Sequence, residues 1–120
     1  MASKFCISLT SAQNDTDKAT VAFVVANAAV ASDKETLVFL STEGVRLAKK
    51  GHADGIHEEG FAPLAELMAN FIKAGGTIWA CSPCCKKRGI AEGDLIAGVT
   101  IVGGAKLVEF VSGGAPCITY

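Results

Sequence analysis

Three cysteines stand within five positions in the run Trp79-Ala80-Cys81-Ser82-Pro83-Cys84-Cys85-Lys86-Lys87-Arg88-Gly89-Ile90. Cys81 and Cys84 have the C-x-x-C spacing of thiol–disulfide exchange sites, in which one thiol attacks and the other resolves through an internal disulfide. An apolar strand ends here and a short helix is expected to begin, with Ser82 suited to the cap and Pro83 to the first helical position. Cys81 then lies at the amino end of that helix. Free N–H groups and the dipole favour an anion there, and such thiols ionise well below the free value of ~8.5. Lys86, Lys87 and Arg88 add positive potential, and the same N–H groups suit a persulfide anion or a sulfur oxyanion.

Metal binding is the competing chemistry for such a cluster, but a structural zinc site takes four ligands. Cys85 adjoins Cys84, His52 and His57 lie far off in sequence, and no second C-x-x-C or H-x-x-x-H completes a set. No metal is expected. A reading of the three as inert, half-buried cysteines fits poorly with the basic run beside them. Cys6 and Cys117 sit alone in apolar stretches and read as small buried hydrophobes.

Other side chains have a functional and a plain reading. Glu43, after the second apolar run, can assist proton transfer or simply open a solvated helix. His57 can orient a thiol or act as an acid, whereas an exposed loop histidine without a role is the commoner case. Trp79 can shape an apolar entrance or a subunit contact, although core packing is the default for a strand aromatic. The basic trio Lys86, Lys87 and Arg88 is either a solvated helix face or a surface that binds substrate or docks a partner.

The elements that must position these residues alternate. Lys4–Leu9 reads as a strand, and Asn14, Asp15 or Thr16 can cap a helix with Asp17 in its first turn. The body of that helix, Val21–Val30, is apolar nearly all round, which points to cover by another subunit. Thr36–Leu40 suits a strand buried on both faces. A short helix is expected over Glu43–Lys50, followed by a polar stretch, Gly51–Gly60, holding both histidines. Leu64, Leu67, Met68, Phe71 and Ile72 form an amphipathic stripe after Pro63, with Gly75-Gly76 as the stop. Strands over Thr77–Ala80, Val99–Val102 and Pro116–Tyr120 and a helix over Ala105–Ser112 complete the pattern. Together they predict an α/β protein, a three-layer α/β/α sandwich with a five-stranded, mainly parallel sheet.

The 120 residues fit one domain, and with half of them apolar and 19% charged they can bury a core without staples. A net charge of −1 gives no electrostatic footprint for nucleic acid or an acidic membrane surface. The run Ala19–Ala31 falls short of the ~20 residues that span a bilayer. An odd cysteine number, five, argues against a secreted disulfide framework. The first residues lack the basic-then-apolar plan of a secretory signal, so a cytoplasmic location is expected.

The order and spacing of Val38-Phe39-Leu40-Ser41-Thr42-Glu43-Gly44-Val45, Gly75-Gly76-Thr77-Ile78-Trp79-Ala80-Cys81, Lys87-Arg88-Gly89-Ile90 and Gly98-Val99-Thr100-Ile101-Val102-Gly103 resemble the DsrE/DsrF-like family over nearly the whole chain. That family includes a branch described as predicted peroxiredoxins. The resemblance implies sulfur trafficking. Relay members carry sulfane sulfur as a persulfide on a cysteine after the third strand, ahead of an Arg-Gly pair. Here that position is Cys81, with Arg88-Gly89 following. It further implies homo- or hetero-oligomers, commonly trimers or hexamers, sulfur exchange with a small TusA-like carrier or another persulfide donor or acceptor, and no cofactor. Cys84 and Cys85 depart from the relay pattern. Either Cys84 reduces a Cys81 persulfide, leaving a Cys81–Cys84 disulfide, or the sulfur-accepting role shifts to Cys84. Cys81 is the favoured carrier on this reading, and Cys85 the least favoured.

Overall fold

The computed structural model describes residues 3–120, so the first two residues of the stretch read for a signal lie outside it. In chain order the elements are β1 (Lys4–Leu9), α1 (Thr16–Ala31), β2 (Glu35–Leu40), α2 (Leu64–Lys73), β3 (Thr77–Cys81), α3 (Ser82–Lys87), β4 (Val99–Val102), α4 (Gly104–Ser112) and β5 (Cys117–Thr119). The segment expected as a short helix after β2 is 3-10, Thr42–Ala48.

All four strand pairings are parallel, in the order β4-β3-β2-β1-β5. The sheet is therefore wholly rather than mainly parallel, and it is covered on both faces, a three-layer α/β/α sandwich. Alternation along the strands divides the core. Ile7, Leu9, Val38, Leu40, Ile78 and Ala80 face one way and pack with Phe23 of α1 and Leu64, Met68 and Phe71 of α2. Cys6, Leu37 and Phe39 face the other way, with Trp79 and Phe110 of α4.

The helices start and stop as their residues dictate. Asp15 caps α1, its carboxylate accepting the Lys18 N–H at 3.0 Å. The all-round apolarity of α1 has a partial explanation within the chain, because α2 lies along it as well as the sheet. Asn27 ties the two, donating to the Phe23 and Leu67 carbonyls at 2.8 and 3.0 Å. Pro63 is the cap residue of α2, next to its first turn. At the far end Gly75 takes φ 98°, and the Gly76 N–H returns to the Phe71 carbonyl at 2.9 Å. The Phe71 ring occupies the space that a Cβ at position 76 would need.

Parallel strands deliver their carboxyl ends to one edge. The register Leu9–Leu40–Ala80 sets the turns after β1, β2 and β3 side by side. Among the described residues no helix is long and apolar enough to cross a membrane.

Candidate functional site

Cys81 is the last residue of β3 and the cap position of α3. Ser82 is therefore the first helical residue rather than the cap, and Pro83 follows it. Cys81 packs against both halves of the core, at the rim between layers. The Cys84 N–H faces its sulfur without closing a capping hydrogen bond. The expected lowering of its pKa is not found. Burial pushes the Cys81 thiol up, and the adjacent Cys84 thiol adds to the rise. The Cys84 N–H and Arg88 pull the other way, and burial prevails. The reason is that a helix of one and a half turns has a weak dipole, while desolvation of a thiolate is a full-charge effect.

Cys84, in the first turn of α3, is half-buried and has a donor of its own. The backbone N–H of Thr42, after β2, points at its sulfur with N···Sγ 3.2 Å. Thr42 reaches this position at φ 50°, a left-handed conformation that a β-branched residue rarely adopts. Its hydroxyl lies 2.7 Å from the Ser41 carbonyl and 2.9 Å from the Thr10 carbonyl, and the Gly44 N–H reaches the same two carbonyls at 2.9 and 3.2 Å. Thr10 follows β1 and is fixed in turn by β5, its N–H and hydroxyl both donating to the Tyr120 carbonyl at 2.9 Å. Three adjacent strand ends thus build one small seat around the Cys84 sulfur, with a single backbone N–H facing it.

Arg88 completes the frame. Its Nη1 donates to the Cys84 carbonyl at 3.2 Å and its Nε to Glu43 Oε2 at 2.7 Å, while Arg46 Nε holds the other Glu43 oxygen at 2.8 Å. The side chain of Arg88 is only 12% exposed, so it is a structural brace rather than part of a solvated face. Glu43 sits between two guanidinium groups that hold its carboxyl below the usual carboxylate range. It is a poor proton donor near neutral pH.

The remaining sequence candidates separate. Lys86 and Lys87 are exposed on α3, beside the pair and away from either sulfur's hydrogen bonds. Cys85 is buried, 1% exposed, with its thiol pushed up by burial. His57 is exposed, its Nε2 2.7 Å from the Phe61 carbonyl. His52 is half-buried with an unpartnered Nε2, and burial pushes its pKa down, helped by Arg46. Trp79 packs edge-on against Phe110 with centroids 6.1 Å apart, under Lys106. Cys117 is exposed, against expectation, because β5 is an edge strand whose three residues are all exposed. Among the described residues no three His, Cys, Asp or Glu side chains gather as a metal site would need. A recess of about 360 Å³, lined by Leu47, Met68, Ile72 and Ile96 among others, includes none of the cysteines. Sequence reasoning missed Thr42 and Thr10, whose N–H and carbonyl meet the site through contacts between segments distant in sequence.

A three-layer α/β/α fold on a parallel sheet, with two adjacent thiols where β3 passes into α3, defines a small α/β thiol protein. The chain belongs to the DsrE/DsrF-like family, whose model matches residues 3–120. It is 32% identical over 117 residues to an uncharacterized protein of Methanocaldococcus jannaschii, covering 98% of this chain and 99% of that one. It is 34% identical over 95 residues to an uncharacterized protein of Methanopyrus kandleri, covering 79% and 75%. Among solved structures it is similar to the YchN protein of E. coli, with TM-score 0.82, 18% identity and 98% and 99% coverage. A protein of unknown function from Methanobacterium thermoautotrophicum gives TM-score 0.72, 16% identity and the same coverage. The family supports a sulfur-relay-related fold.

Proposed function

We propose that this protein handles sulfane sulfur as a cysteine persulfide and exchanges it with a partner, with Cys84 as the sulfur-bearing thiol and Cys81 as its neighbour. The observation that carries the reading is the Thr42 N–H aimed at the Cys84 sulfur at 3.2 Å. A backbone donor fixed in advance stabilises a sulfur anion without reorganisation. The family resemblance alone favours Cys81, but burial opposes ionisation of that thiol. In the proposed step the Cys84 thiolate attacks the outer sulfur of a donor persulfide, and the donor thiol leaves. An acceptor thiolate then attacks the outer sulfur of the Cys84 persulfide and restores Cys84.

The exposed Lys86 and Lys87 are proposed as the surface that meets a TusA-like carrier or another persulfide protein, and Arg88 as the brace that holds Cys84 behind it. A homo-oligomer, trimeric or hexameric, and a cytoplasmic location belong to the same proposal. The half-buried Val21, Val24 and Val25 on α1 support the former.

A second reading has its own observation, the adjacency of the two thiols. Attack of Cys81 on the inner sulfur of a Cys84 persulfide expels hydrosulfide and leaves a Cys81–Cys84 disulfide. Exposure of the reduced protein to polysulfide, then to a thiol acceptor protein, separates the two. Transfer predicts a gain of about 32 Da that the acceptor removes. A loss of about 2 Da with release of sulfide instead supports the second reading. Neither change contradicts both.

A further inference from the structure

Cys6 and Cys117 are far apart in sequence but directly opposite each other in the β1–β5 pairing. Residues opposite in adjacent strands project to the same face, with strand axes ~4.8 Å apart. That lies inside the Cα separation of roughly 4.4–6.8 Å at which disulfides form. The Cys6 N–H donates to the Pro116 carbonyl at 2.9 Å, which holds the two positions level. Cys6 is fully buried and Cys117 is exposed, so one thiol meets solvent while the other waits behind it.

We infer that Cys6 and Cys117 are a second dithiol, oxidised by low-molecular-weight disulfides to a bond that fastens the edge strand β5 to β1. The exposed Cys117 acts first: its thiol displaces one RSH from RSSR and forms the mixed disulfide Cys117–S–S–R. Cys6 then attacks the Cys117 sulfur, the second RSH leaves with the Cys6 proton, and the Cys6–Cys117 bond is formed. Two protein thiols are oxidised and one disulfide is reduced to two thiols. The order follows from environment. Burial, with the Cys117 thiol beside it, pushes Cys6 up to about 12, so Cys6 does not initiate. Capping Cys117 removes the part of that shift due to its charge.

This pair is separate from Cys81 and Cys84. Two strands lie across and four residues along the sheet, roughly 10 Å by 13 Å, too far for direct exchange. Its effect falls on β5 and on Tyr120 directly after it, whose carbonyl holds Thr10 and through it the Thr42 turn. The site needs no part of the sulfur-transfer reading to be correct.

The test uses the Cys81→Ser, Cys84→Ser double variant, shown folded by circular dichroism, treated with oxidised glutathione and mapped without reduction. The expected product has lost about 2 Da, carries a Cys6–Cys117 cross-linked peptide, and melts roughly 10 °C above its reduced form. Adding Cys117→Ser, an exposed substitution, abolishes both changes. A product that stops at roughly +305 Da on Cys117, with Cys6 alkylated only after unfolding, overturns the inference. So does a dimer linked through Cys117.

Discussion

Gly44→Ala tests whether the Thr42 seat is built by close backbone approach. A Cβ at position 44 would overlap the Leu9 carbonyl oxygen, stand 3.0 Å from its carbon, and lie 3.4 Å from the Thr10 carbonyl carbon. All three are main-chain atoms of a sheet strand and its exit, so they cannot turn aside as a side chain can. Ordinary contact distance requires the turn after β2 to withdraw by roughly 1 Å. Overpacking of that kind costs about 1–3 kcal/mol. The same withdrawal strains two hydrogen bonds to the Thr10 carbonyl, Thr42 Oγ1 at 2.9 Å and Gly44 N at 3.2 Å. It also moves the Thr42 N–H from 3.2 Å toward about 4 Å from the Cys84 sulfur, beyond a useful bond. Losing a donor hydrogen bond of about 1 kcal/mol at the attacking sulfur should slow alkylation of Cys84 severalfold. Urea unfolding and peptide-mapped iodoacetamide kinetics read both effects. Gly55→Ala, where a Cβ meets nothing within 4 Å, is the control. A Gly44→Ala protein as stable and as reactive at Cys84 as the control would show that close backbone approach does not build the seat.

Phe71, fully buried and edge-on to Phe23 at 5.9 Å, joins α1 to α2, so Phe71→Ala should cost about 3–5 kcal/mol, read as a lower urea midpoint. Glu43 has a folded-state pKa depressed by Arg88 and Arg46, so its contribution is present above the unfolded carboxylate pKa and lost as pH falls through the folded one. The wild type should therefore lose more stability than Glu43→Gln in urea titrations carried from neutral to acidic pH; equal losses would show that the two ion pairs contribute nothing. Cys81, with its thiol raised by burial, should be alkylated slowly at neutral pH and accelerate only above the ordinary thiol range, as a pH series with mass mapping would show.

The strands and the two long helices were legible because their signals are local and strong. The Leu64–Ile72 stripe, the Gly75-Gly76 stop and the apolar run at Leu37–Leu40 each match one period or one backbone requirement. The 3-10 course of Thr42–Ala48 was not legible as such. It is imposed by Gly44 docking on Leu9 and Thr10, a contact between segments distant in sequence. Within the site, the spacing of Cys81 and Cys84 marks the place, but the raised pKa of Cys81 is not legible, because a sequence displays the helix start and not the burial that opposes it. In sequence Arg88 belongs to one basic run with Lys86 and Lys87, whereas the turn of α3 carries it inward to Glu43. Cys117 read as buried from its apolar neighbours, but its strand falls at the edge of the sheet.

The most direct test of the sulfur seat compares Cys84→Ser with Cys81→Ser after brief exposure of each reduced protein to polysulfide, by peptide-mapped mass spectrometry. The expected result is a gain of about 32 Da on Cys84 in Cys81→Ser and none on Cys81 in Cys84→Ser. Sulfur on Cys81 in the Cys84→Ser protein, with Cys84 unmodified in its counterpart, would contradict it.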